Sequence, residues 1–432
     1  MSSAYEHAPP APADDLTGLA GRGGFLAALD AALAAFDAER RDPPVLMLLD
    51  LDRFKAVNDI MGHPVGDAVL RGAAQRIRGA LRRMDLAGRL GGDEFAVLLA
   101  PPISDEEAAG IARRLVDLMG RPFLVEGGQL AQIGLSVGVA VAALGLSTIE
   151  LVKRADLALY AAKARGRGRF AAFEPAMQQA AEERAALSQG LRAALPLGQF
   201  RLAYLPLLDI HSSAIEAVEA LLRWERPGHG PVGPTRFIPL AEELGLMPAI
   251  GAWVLRTACS DAMSWERPLG VNVNVSPAQL ADGRLPEIVA SVLAETGLPP
   301  GRLELEVAEG TLLDAASASP LEQFRALRSL GVHLALDDFG TGYSSLSRLR
   351  DLPFRRVKLD RSFAGDPAMM RAAVGVGRAL GLSTTAEGIE EPEQLAAART
   401  EGCAQAQGFL ISTPLSPEEL RGWIANPTPD AR

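Results

Sequence analysis

A repeated pattern in the second half of the chain narrows the possible folds more than any other property. From about residue 200 onward, apolar runs of strand length alternate with helical stretches. Such alternation predicts a parallel sheet, and six or more repeats in about 230 residues predict a (β/α)8 barrel. Active sites of such barrels lie at the C-terminal ends of the strands. Six polar residues end the apolar runs and are therefore candidate site residues: Glu219, Asn274, Glu306, Asp337, Lys358 and Glu387.

The first half of the chain has a different organisation. Residues 15–173 alternate helical segments with short β-like runs, which predicts an α/β sandwich. Residues 174–194 are rich in Ala, Glu and Gln, which predicts a helical connector to the barrel domain at residues 195–426. Residues 1–14 are rich in Ala and Pro and are expected to form a disordered leader. The sequence therefore predicts two α/β domains.

Composition excludes several classes of protein. The net charge of −10 argues against non-specific binding to nucleic acid or to an anionic membrane. No apolar stretch reaches the 18 or so residues of a membrane helix, and the N-terminus lacks the apolar region of a signal peptide. The two cysteines, Cys259 and Cys403, lack metal-ligand spacing and are predicted to be core thiols. A reducing cytoplasm is the expected location.

Carboxylates recur at two places in the first half. Asp50 and Asp52 end a buried run, and alternation along a strand places both on one face. Gly91, Gly92, Asp93 and Glu94 predict a hairpin with an acidic tip. If this hairpin pairs beside the first strand, its carboxylates join Asp50 in a cluster suited to Mg²⁺ and phosphoryl transfer. The alternative is that these residues merely end a strand and form a solvated turn.

The same segments resemble the GGDEF family of diguanylate cyclases. They occur in the family's order: DLTGL (15–19), LDLDRFKAVNDIMGHPVGD (49–67), RLGGDEF (89–95), ADLALYAAK (155–163), then Gly166 and Arg167. The resemblance implies a palm-like nucleotide-cyclase fold that joins two GTP molecules into cyclic di-GMP.

The resemblance also implies a role for each matching residue. Asp50, the Leu51 carbonyl and Asp93 would bind the metal, and Glu94 would be a further catalytic carboxylate. Asn58 and Asp67 would bind the guanine edge. The other implied substrate contacts are Phe54, Lys55, Lys163 and Arg167, of which the last two would neutralise the triphosphate. Arg82 and Asp85 match the family's RxxD inhibitory site, where the product would bind.

The polar residues of the predicted barrel also favour one chemistry. Several acids around one mouth with a single lysine repel one another unless cations lie among them. Adjacent Asp337 and Asp338 can serve two cations, an arrangement suited to phosphodiester hydrolysis by an activated water that Lys358 orients. The alternative is that strands commonly end in polar residues. The scattered His211, His229 and His333 do not have the spacing of a zinc site.

These residues resemble the EAL family of cyclic di-GMP phosphodiesterases. The matching segments are EALLRW (219–224), FIPLAE (237–242), VNVS (273–276), LELE (303–306), DDFGTGYSSL (337–346), VKLD (357–360), AEGIE (386–390) and QGF (407–409). The resemblance implies a TIM-like barrel that opens cyclic di-GMP to linear pGpG. Leu205 departs from the family, which often has Gln there, and the loss of that amide would weaken substrate binding by about 1 kcal/mol.

The resemblance implies that Mg²⁺ or Mn²⁺ is bound by Glu219, Asn274, Glu306, Asp337 and Asp338. Lys358 and Glu387 would complete the water-activating centre, whose catalytic residues also include Asp338 and Glu219. Substrate contacts would come from Arg223, Asp360, Glu390 and Gln407. Glu309 would stabilise the loop over residues 338–345.

Three hypotheses follow for the whole chain. The first is a bifunctional enzyme of cyclic di-GMP turnover that uses GTP and cyclic di-GMP and acts as a homodimer. The second is a phosphodiesterase whose first domain binds GTP only as a regulator. The third is a non-catalytic cyclic di-GMP receptor. None of them involves nucleic acid or insertion into a membrane.

Overall fold

A computed structural model of the protein describes residues 13–39, 42–125, 128–311, 319–340 and 346–425. The chain forms two compact units, residues 1–185 and 186–432. Most of the predicted leader and residues 341–345 of the predicted loop lie outside the described residues. None of the described helices combines the length and apolar composition that crossing a membrane requires.

The first unit contains a six-stranded sheet and a small two-stranded ribbon. Its strands are β1 (Ala20–Gly21), β2 (Val45–Asp52), β3 (Leu86–Gly91), β4 (Glu94–Leu99), β5 (Phe123–Leu124), β6 (Leu130–Ala131), β7 (Gly134–Val141) and β8 (Phe170–Ala172). The sheet has the order β1-β3-β4-β2-β7-β8, and β5 pairs with β6. The predicted hairpin is confirmed, because β4 pairs antiparallel with both β3 and β2.

Helices cover both faces of this sheet. They are α1 (Arg22–Glu39), α2 (Phe54–Met61), α3 (His63–Ala80), α4 (Asp105–Met119) and α5 (Thr148–Ala164). Leu46 and Leu48 of β2 pack with α1 and α5, whereas Met47 and Leu49 pack with α3 and α4. Alternate residues of a strand face opposite sides, so a strand covered on both faces is apolar throughout. This explains why residues 45–49 are a continuous apolar run.

The second unit is a closed eight-stranded barrel with one extra hairpin strand. Its strands are β9 (Phe200–Asp209), β10 (Ile215–Arg226), β11 (Gly230–Val232), β12 (Gly270–Val275), β13 (Leu303–Ala308), β14 (His333–Phe339), β15 (Arg356–Leu359), β16 (Ser383–Ala386) and β17 (Gln405–Ala406). The barrel closes because β9 pairs with both β10 and β17, while β11 pairs only with β10. The predicted α/β fold with a C-terminal barrel is confirmed.

The described helices from residue 175 onward are α6 (Pro175–Ala194), α7 (Pro234–Glu243), α8 (Met247–Ser264), α9 (Pro277–Ala281), α10 (Leu285–Thr296), α11 (Ser319–Ser329), α12 (Leu346–Asp351), α13 (Pro367–Ala379), α14 (Pro392–Glu401) and α15 (Pro417–Ala425). Cys259 and Cys403 are buried in the core of this unit, which confirms the prediction of core thiols. Burial raises the pKa of Cys259 to about 12 and that of Cys403 to about 11.

Two details of the barrel differ from the prediction. The sheet is not wholly parallel, because β9 runs antiparallel to both of its neighbours. The short connection at residues 210–214 between β9 and β10 permits a hairpin and is too short for a parallel crossover. Glu219 lies in the middle of β10 rather than at its end, because β10 continues to Arg226 and pairs there with β11.

Candidate active sites

Lys358 lies among four carboxylates of the barrel interior. Its side chain is 1% exposed. Its Nζ lies 2.7 Å from Glu387 Oε1, 2.8 Å from Glu306 Oε2, 3.1 Å from Glu219 Oε2 and 3.4 Å from Asp337 Oδ1. Five of the six polar residues predicted from the strand ends are therefore in direct contact around one ammonium group.

Two amides complete this group of residues. Asn274 Nδ2 donates to Glu219 Oε1 at 2.7 Å, which brings in the sixth predicted residue. Gln407 Nε2 donates to Glu219 Oε2 at 2.7 Å and to Glu387 Oε1 at 3.2 Å. The parallel register places Asn274 opposite Glu306, so neighbouring strands present these groups at one level of the barrel.

A backbone irregularity brings the two adjacent aspartates to the same site. In a regular strand Asp337 and Asp338 would face opposite sides. The pairing of β14 with β15 shifts register between Leu336 and Phe339, and Asp338 adopts a left-handed conformation with φ 55°. Among the described residues, Asp337, Asp338 and Glu387 offer ligand oxygens that all lie within 4.8 Å of one another. Left-handed conformations of residues other than glycine are uncommon and are found at functional sites.

The charges of this group shift the pKa values strongly. Burial and the charge of Glu219 raise the pKa of Glu306 well above its usual value. Burial raises the pKa of Glu387 to about 7, although Lys358 opposes the shift. Burial alone would lower the pKa of Lys358, but the carboxylates around it raise it well above its usual value.

Two further shifts concern Glu219 and Asp338. Burial alone would raise the pKa of Glu219, but the Lys358 ammonium and two side-chain amides hold it below its usual value. Burial and the neighbouring Asp337 raise the pKa of Asp338. Crowding that favours protonation of carboxylates also favours a divalent cation among them, so the donor set fits Mg²⁺ or Mn²⁺.

The other predicted residues of the barrel differ in their exposure. Arg223 and Asp360 are partly buried, and Glu390 is exposed. Glu309 is buried, and its Oε2 accepts a hydrogen bond from the Gly340 amide at 2.9 Å. This contact ties the end of β13 to the start of the segment predicted as a loop. Leu205 is buried in the barrel wall, opposite Glu219 on the neighbouring strand.

In the first unit, strand pairing brings Asp50 beside the hairpin that carries Asp93 and Glu94. Asp50 lies directly opposite Glu94 in the pairing of β2 with β4, and the Leu51 amide donates to the Asp93 carbonyl at 3.3 Å. Lys163 Nζ lies 2.6 Å from Asp50 Oδ2. Burial raises the pKa of Asp50, with Lys163 opposing the shift. Sheet pairing therefore places Glu94 opposite Asp50, and helix α5 brings Lys163 to Asp50 from more than 100 positions away.

Lys163 reaches Asp50 because of how α5 is placed. The helix begins with a capping box, in which the Ser147 hydroxyl accepts from the Glu150 amide and Glu150 accepts from the Ser147 amide. Lys163 lies in its last turn. The next turn is tied to the sheet, since the Gly168 amide donates to Asp52 Oδ2 at 3.0 Å. Asp52 Oδ1 also accepts from Ser136 Oγ at 2.8 Å.

The predicted nucleotide contacts occupy α2, α3 and the turn after α5. Asn58 and Asp67 are partly buried, and a side chain at Gly66 would collide with Asn58 Oδ1. Lys55 and Arg167 are exposed, whereas Phe54 packs in the core. Phe54 therefore contributes to the hydrophobic core beneath this surface.

Arg82 and Asp85, predicted as an inhibitory site, are bonded to each other. Arg82 Nη2 lies 3.0 Å from Asp85 Oδ1, and its Nη2 also donates to the Ala100 carbonyl at 2.7 Å. The Asp85 carboxylate is fully buried and accepts from the Ala100 amide at 3.1 Å. The Arg82 side chain remains 38% exposed.

Sequence reasoning missed several residues that shape the sites. Asn272 contacts Glu306 from below the barrel mouth, and Ser136 donates a hydrogen bond to Asp52. Gly388 and Gly408 allow close approach, since a Cβ would lie 2.4 Å from Arg361 Cβ and 2.2 Å from the Ile389 carbonyl respectively. In the sequence, the only indication of these close approaches was the presence of glycine in the segments AEGIE (386–390) and QGF (407–409).

Two domain families match the chain. Residues 11–169 match the diguanylate cyclase GGDEF domain, and residues 188–414 match the EAL domain. Both resemblances are confirmed, and the chain belongs to the family of proteins with a GGDEF domain followed by an EAL domain.

Named relatives share both domains. MucR of Pseudomonas aeruginosa, named a bifunctional diguanylate cyclase/cyclic di-GMP phosphodiesterase, is 40% identical over 88% of this chain and 57% of its own length. NbdA of the same organism, named a cyclic di-GMP phosphodiesterase, is 40% identical over 86% of this chain and 48% of its own length. The chain thus spans about half the length of these relatives.

A solved structure resembles the second unit. The PaMucR phosphodiesterase in complex with cyclic di-GMP is 40% identical, with a TM-score of 0.52, over 54% of this chain and 99% of that chain. This likeness covers a length comparable to that of the EAL match.

Proposed function

We propose that the barrel hydrolyses cyclic di-GMP to linear pGpG. The observation that carries this proposal is that the buried ammonium of Lys358 contacts four carboxylates. One of the four is Asp337, and Asp338 offers a further carboxylate oxygen within 4.8 Å of it. Asn274 and Gln407 belong to the same group, because both donate hydrogen bonds to Glu219. The names of MucR, NbdA and PaMucR support the same substrate.

The chain's own residues have distinct parts in this proposal. Glu219, Asn274, Glu306, Asp337 and Asp338 would hold Mg²⁺ or Mn²⁺. Such ions polarise a phosphate and lower the pKa of water. Lys358 Nζ would orient the attacking water, and its charge would stabilise the negative charge that develops on the phosphate. Water adds to phosphorus, one P–O3′ bond breaks, and the 3′-oxygen leaves as a hydroxyl, which yields pGpG.

The proposed substrate contacts rest on the match of these residues to the EAL motifs. Arg223 would pair with a phosphate of the dinucleotide, because a guanidinium suits phosphate oxygens. Glu390 and Asp360 would meet the guanine or the ribose, and Gln407 would contact the substrate while holding Glu219 and Glu387. Glu309 would support the segment after Asp338 through its bond to Gly340.

For the first unit, we infer synthesis of cyclic di-GMP from two GTP molecules. This inference is supported by the position of Asp50 opposite Glu94 and by its contact with Lys163. Lys163 would neutralise charge on the triphosphate. Mg²⁺ bound by one or two carboxylates usually completes its ligands with substrate phosphates. Arg82 and Asp85 would bind the product, which requires Arg82 to exchange its present partners for a phosphate.

The test is hydrolysis of cyclic di-GMP by the purified chain with Mg²⁺ or Mn²⁺, with pGpG resolved by chromatography. Asp337→Ala should reduce turnover at least 100-fold. Asp351→Ala removes an exposed aspartate outside the site and should have no effect. Binding of cyclic di-GMP without cleavage under either metal would overturn the proposal and favour a receptor.

A second set of reactions separates synthesis from regulation in the first unit. GTP alone should yield cyclic di-GMP in an Asp337→Ala background, where hydrolysis does not remove it, and Glu94→Gln should abolish that product. Faster hydrolysis in the presence of GTP with no cyclic product would instead indicate a GTP-binding regulator.

A further inference from the structure

Asn272 lies one layer below the carboxylates of the barrel mouth. It is two residues before Asn274 on β12, so both side chains face the barrel interior. Its side chain is buried, at 3% exposure. Its Nδ2 donates to Glu306 Oε1 at 2.8 Å and to Glu304 Oε1 at 3.2 Å. One amide group therefore links two inward carboxylates of the neighbouring strand.

The layer that contains Asn272 carries its own charge compensation. The register of β12 with β13 places Asn272 directly opposite Glu304. Arg356 Nε donates to Glu304 Oε1 at 3.0 Å, and its Nη1 donates to Thr385 Oγ1 at 3.3 Å. One carboxylate and one guanidinium thus balance each other beneath the mouth. Both Arg356 and Asn272 donate hydrogen bonds to Glu304, so Glu304 in turn helps to fix the position of the Asn272 side chain.

The consequence concerns the orientation of Glu306. Its Oε2 contacts Lys358 Nζ at 2.8 Å, while its Oε1 accepts from Asn272. The last torsion of a glutamate side chain is soft, so a carboxylate with one partner can rotate. Two partners on opposite oxygens define the plane of the carboxylate. Without Asn272, Oε1 would lose this hydrogen bond in a buried position, which is unfavourable.

We propose that Asn272 is a positioning residue of the cation site, because it fixes the carboxylate of Glu306 from below through the hydrogen bond to Oε1. The inference rests on the proposed function only in taking the barrel mouth as a divalent-cation site. Residues that hold metal ligands in place typically affect metal affinity or activity by about 10- to 100-fold. Asn272 lies below the mouth and acts through Glu306, so its loss should leave the KM for cyclic di-GMP nearly unchanged.

The first test measures the binding of Mn²⁺ alone to the full chain. Binding is detected as a decrease in the electron paramagnetic resonance signal of free Mn²⁺. Asn272→Ala should weaken Mn²⁺ binding by about 10- to 100-fold. Asn272→Leu keeps the buried volume and should give the same loss if the alanine variant folds poorly. Thr385→Val is the matched control, because Thr385 is fully buried and contacts Arg356 but has no hydrogen bond to Glu306 among the described residues. It should change the affinity less than about threefold, and tryptophan fluorescence melts should verify folding of each variant.

The outcomes separate the inference from the proposed function. Unchanged Mn²⁺ affinity in folded Asn272→Ala and Asn272→Leu would overturn the inference, as would an equal loss in Thr385→Val. If the wild type binds Mn²⁺ but does not cleave cyclic di-GMP, the proposed function fails while the Mn²⁺ titration still tests Asn272. With active wild type, the inference expects a lower kcat at limiting Mn²⁺ and an unchanged KM. A raised KM at saturating Mn²⁺ would instead make Asn272 a substrate contact and overturn it.

Discussion

The two units each gather carboxylates at the end of a sheet, but they compensate that charge in different ways. In the barrel, Lys358 is almost fully buried and contacts four carboxylates. In the first unit, Lys163 is 31% exposed and contacts Asp50, while Glu94 is exposed to solvent. A closed barrel surrounds its interior groups, whereas the strand ends of an open sheet leave them beside water.

This difference has an energetic consequence. Electrostatic interactions are strong where water is excluded and weak where it is present. The barrel site therefore depends on a complete set of charges, and removing any one group should be costly. The site of the first unit tolerates an incomplete set of charges, because water and a bound nucleotide can solvate or neutralise the charges that the protein leaves unpaired.

The largest expected difference is between two lysine substitutions. Lys358→Met leaves buried carboxylates without their cation and should lower the free energy of unfolding of the second unit by about 3 to 5 kcal/mol. Lys163→Met removes a partly exposed pair and should cost the first unit about 0 to 1 kcal/mol. All four tryptophans lie in the second unit, so tryptophan fluorescence in urea reports that unit, and circular dichroism reports both. Similar losses for the two variants would contradict this comparison.

The second largest expected difference is in how strongly a divalent cation stabilises each unit. The oxygens of Asp337, Asp338 and Glu387 already lie within 4.8 Å of one another, so Mn²⁺ alone should stabilise the second unit. At about 100 times the dissociation constant, the gain is about 2.7 kcal/mol. The first unit should respond to Mn²⁺ only when GTP is also present. Thermal melts with Mn²⁺ alone and with Mn²⁺ and GTP together measure both responses. Asp337→Ala is the control, in which Mn²⁺ alone should no longer stabilise the second unit. Equal stabilisation of both units by Mn²⁺ alone would show that their sites are equally preassembled.

The pH dependence of the metal-free barrel should be smaller but measurable. Burial raises the pKa of Glu387 to about 7, above the value of about 4.3 for an unfolded chain. The folded state therefore holds more protons in this window, and stability falls as pH rises from about 4.3 to 7. Urea unfolding in chelator should show a decline of about 1 to 3 kcal/mol from pH 5 to 8, and Glu387→Gln should make this decline smaller. The raised pKa values of Glu306 and Asp338 account for the remainder. Glu390→Gln, which changes an exposed carboxylate of the same segment, should retain the full decline. An equal decline in Glu387→Gln and in the wild type would assign it to the other groups.

The smallest effect is expected at Arg82 in the first unit. The Arg82 side chain is 38% exposed, so water can replace it beside the Asp85 carboxylate, and Arg82→Ala should cost about 0 to 1 kcal/mol. Asp85→Ala should cost more, about 1 to 3 kcal/mol, because its buried carboxylate accepts from both Arg82 and the Ala100 amide. Circular dichroism in urea measures both changes. A larger loss for Arg82→Ala than for Asp85→Ala would contradict this account.

Much of both sites could be predicted because the chemistry is encoded at short range. Alternation along a strand relates Asp50 to Asp52, and the glycine pair before Asp93 indicates a hairpin. The barrel acids each follow an apolar run, so the barrel prediction alone brings them to one mouth. The error at β9 arose because its connection to β10 is short, which favours a hairpin over the parallel repeat.

Other features depend on residues that are distant in sequence. The left-handed turn at Asp338 follows a register shift between two strands, and nothing in the local sequence indicates it. The link from Asn272 to Glu306 requires the register of β12 with β13. Phe54 and Lys55 are adjacent in one motif, yet one packs in the core and the other is exposed.

By itself, the sequence determined which chemical groups are present and the periodicity that selects strands and helices, because both are properties of neighbouring residues. These were enough to predict the two α/β folds and to propose the members of the candidate sites. The tertiary structure decided how charge is shared among those groups. Closure of the barrel buries Lys358 among carboxylates that come from different strands. The distances of about 3 Å between the Lys358 ammonium and the oxygens of Glu219 and Glu306 give strong electrostatic interactions only because water is excluded from the barrel interior.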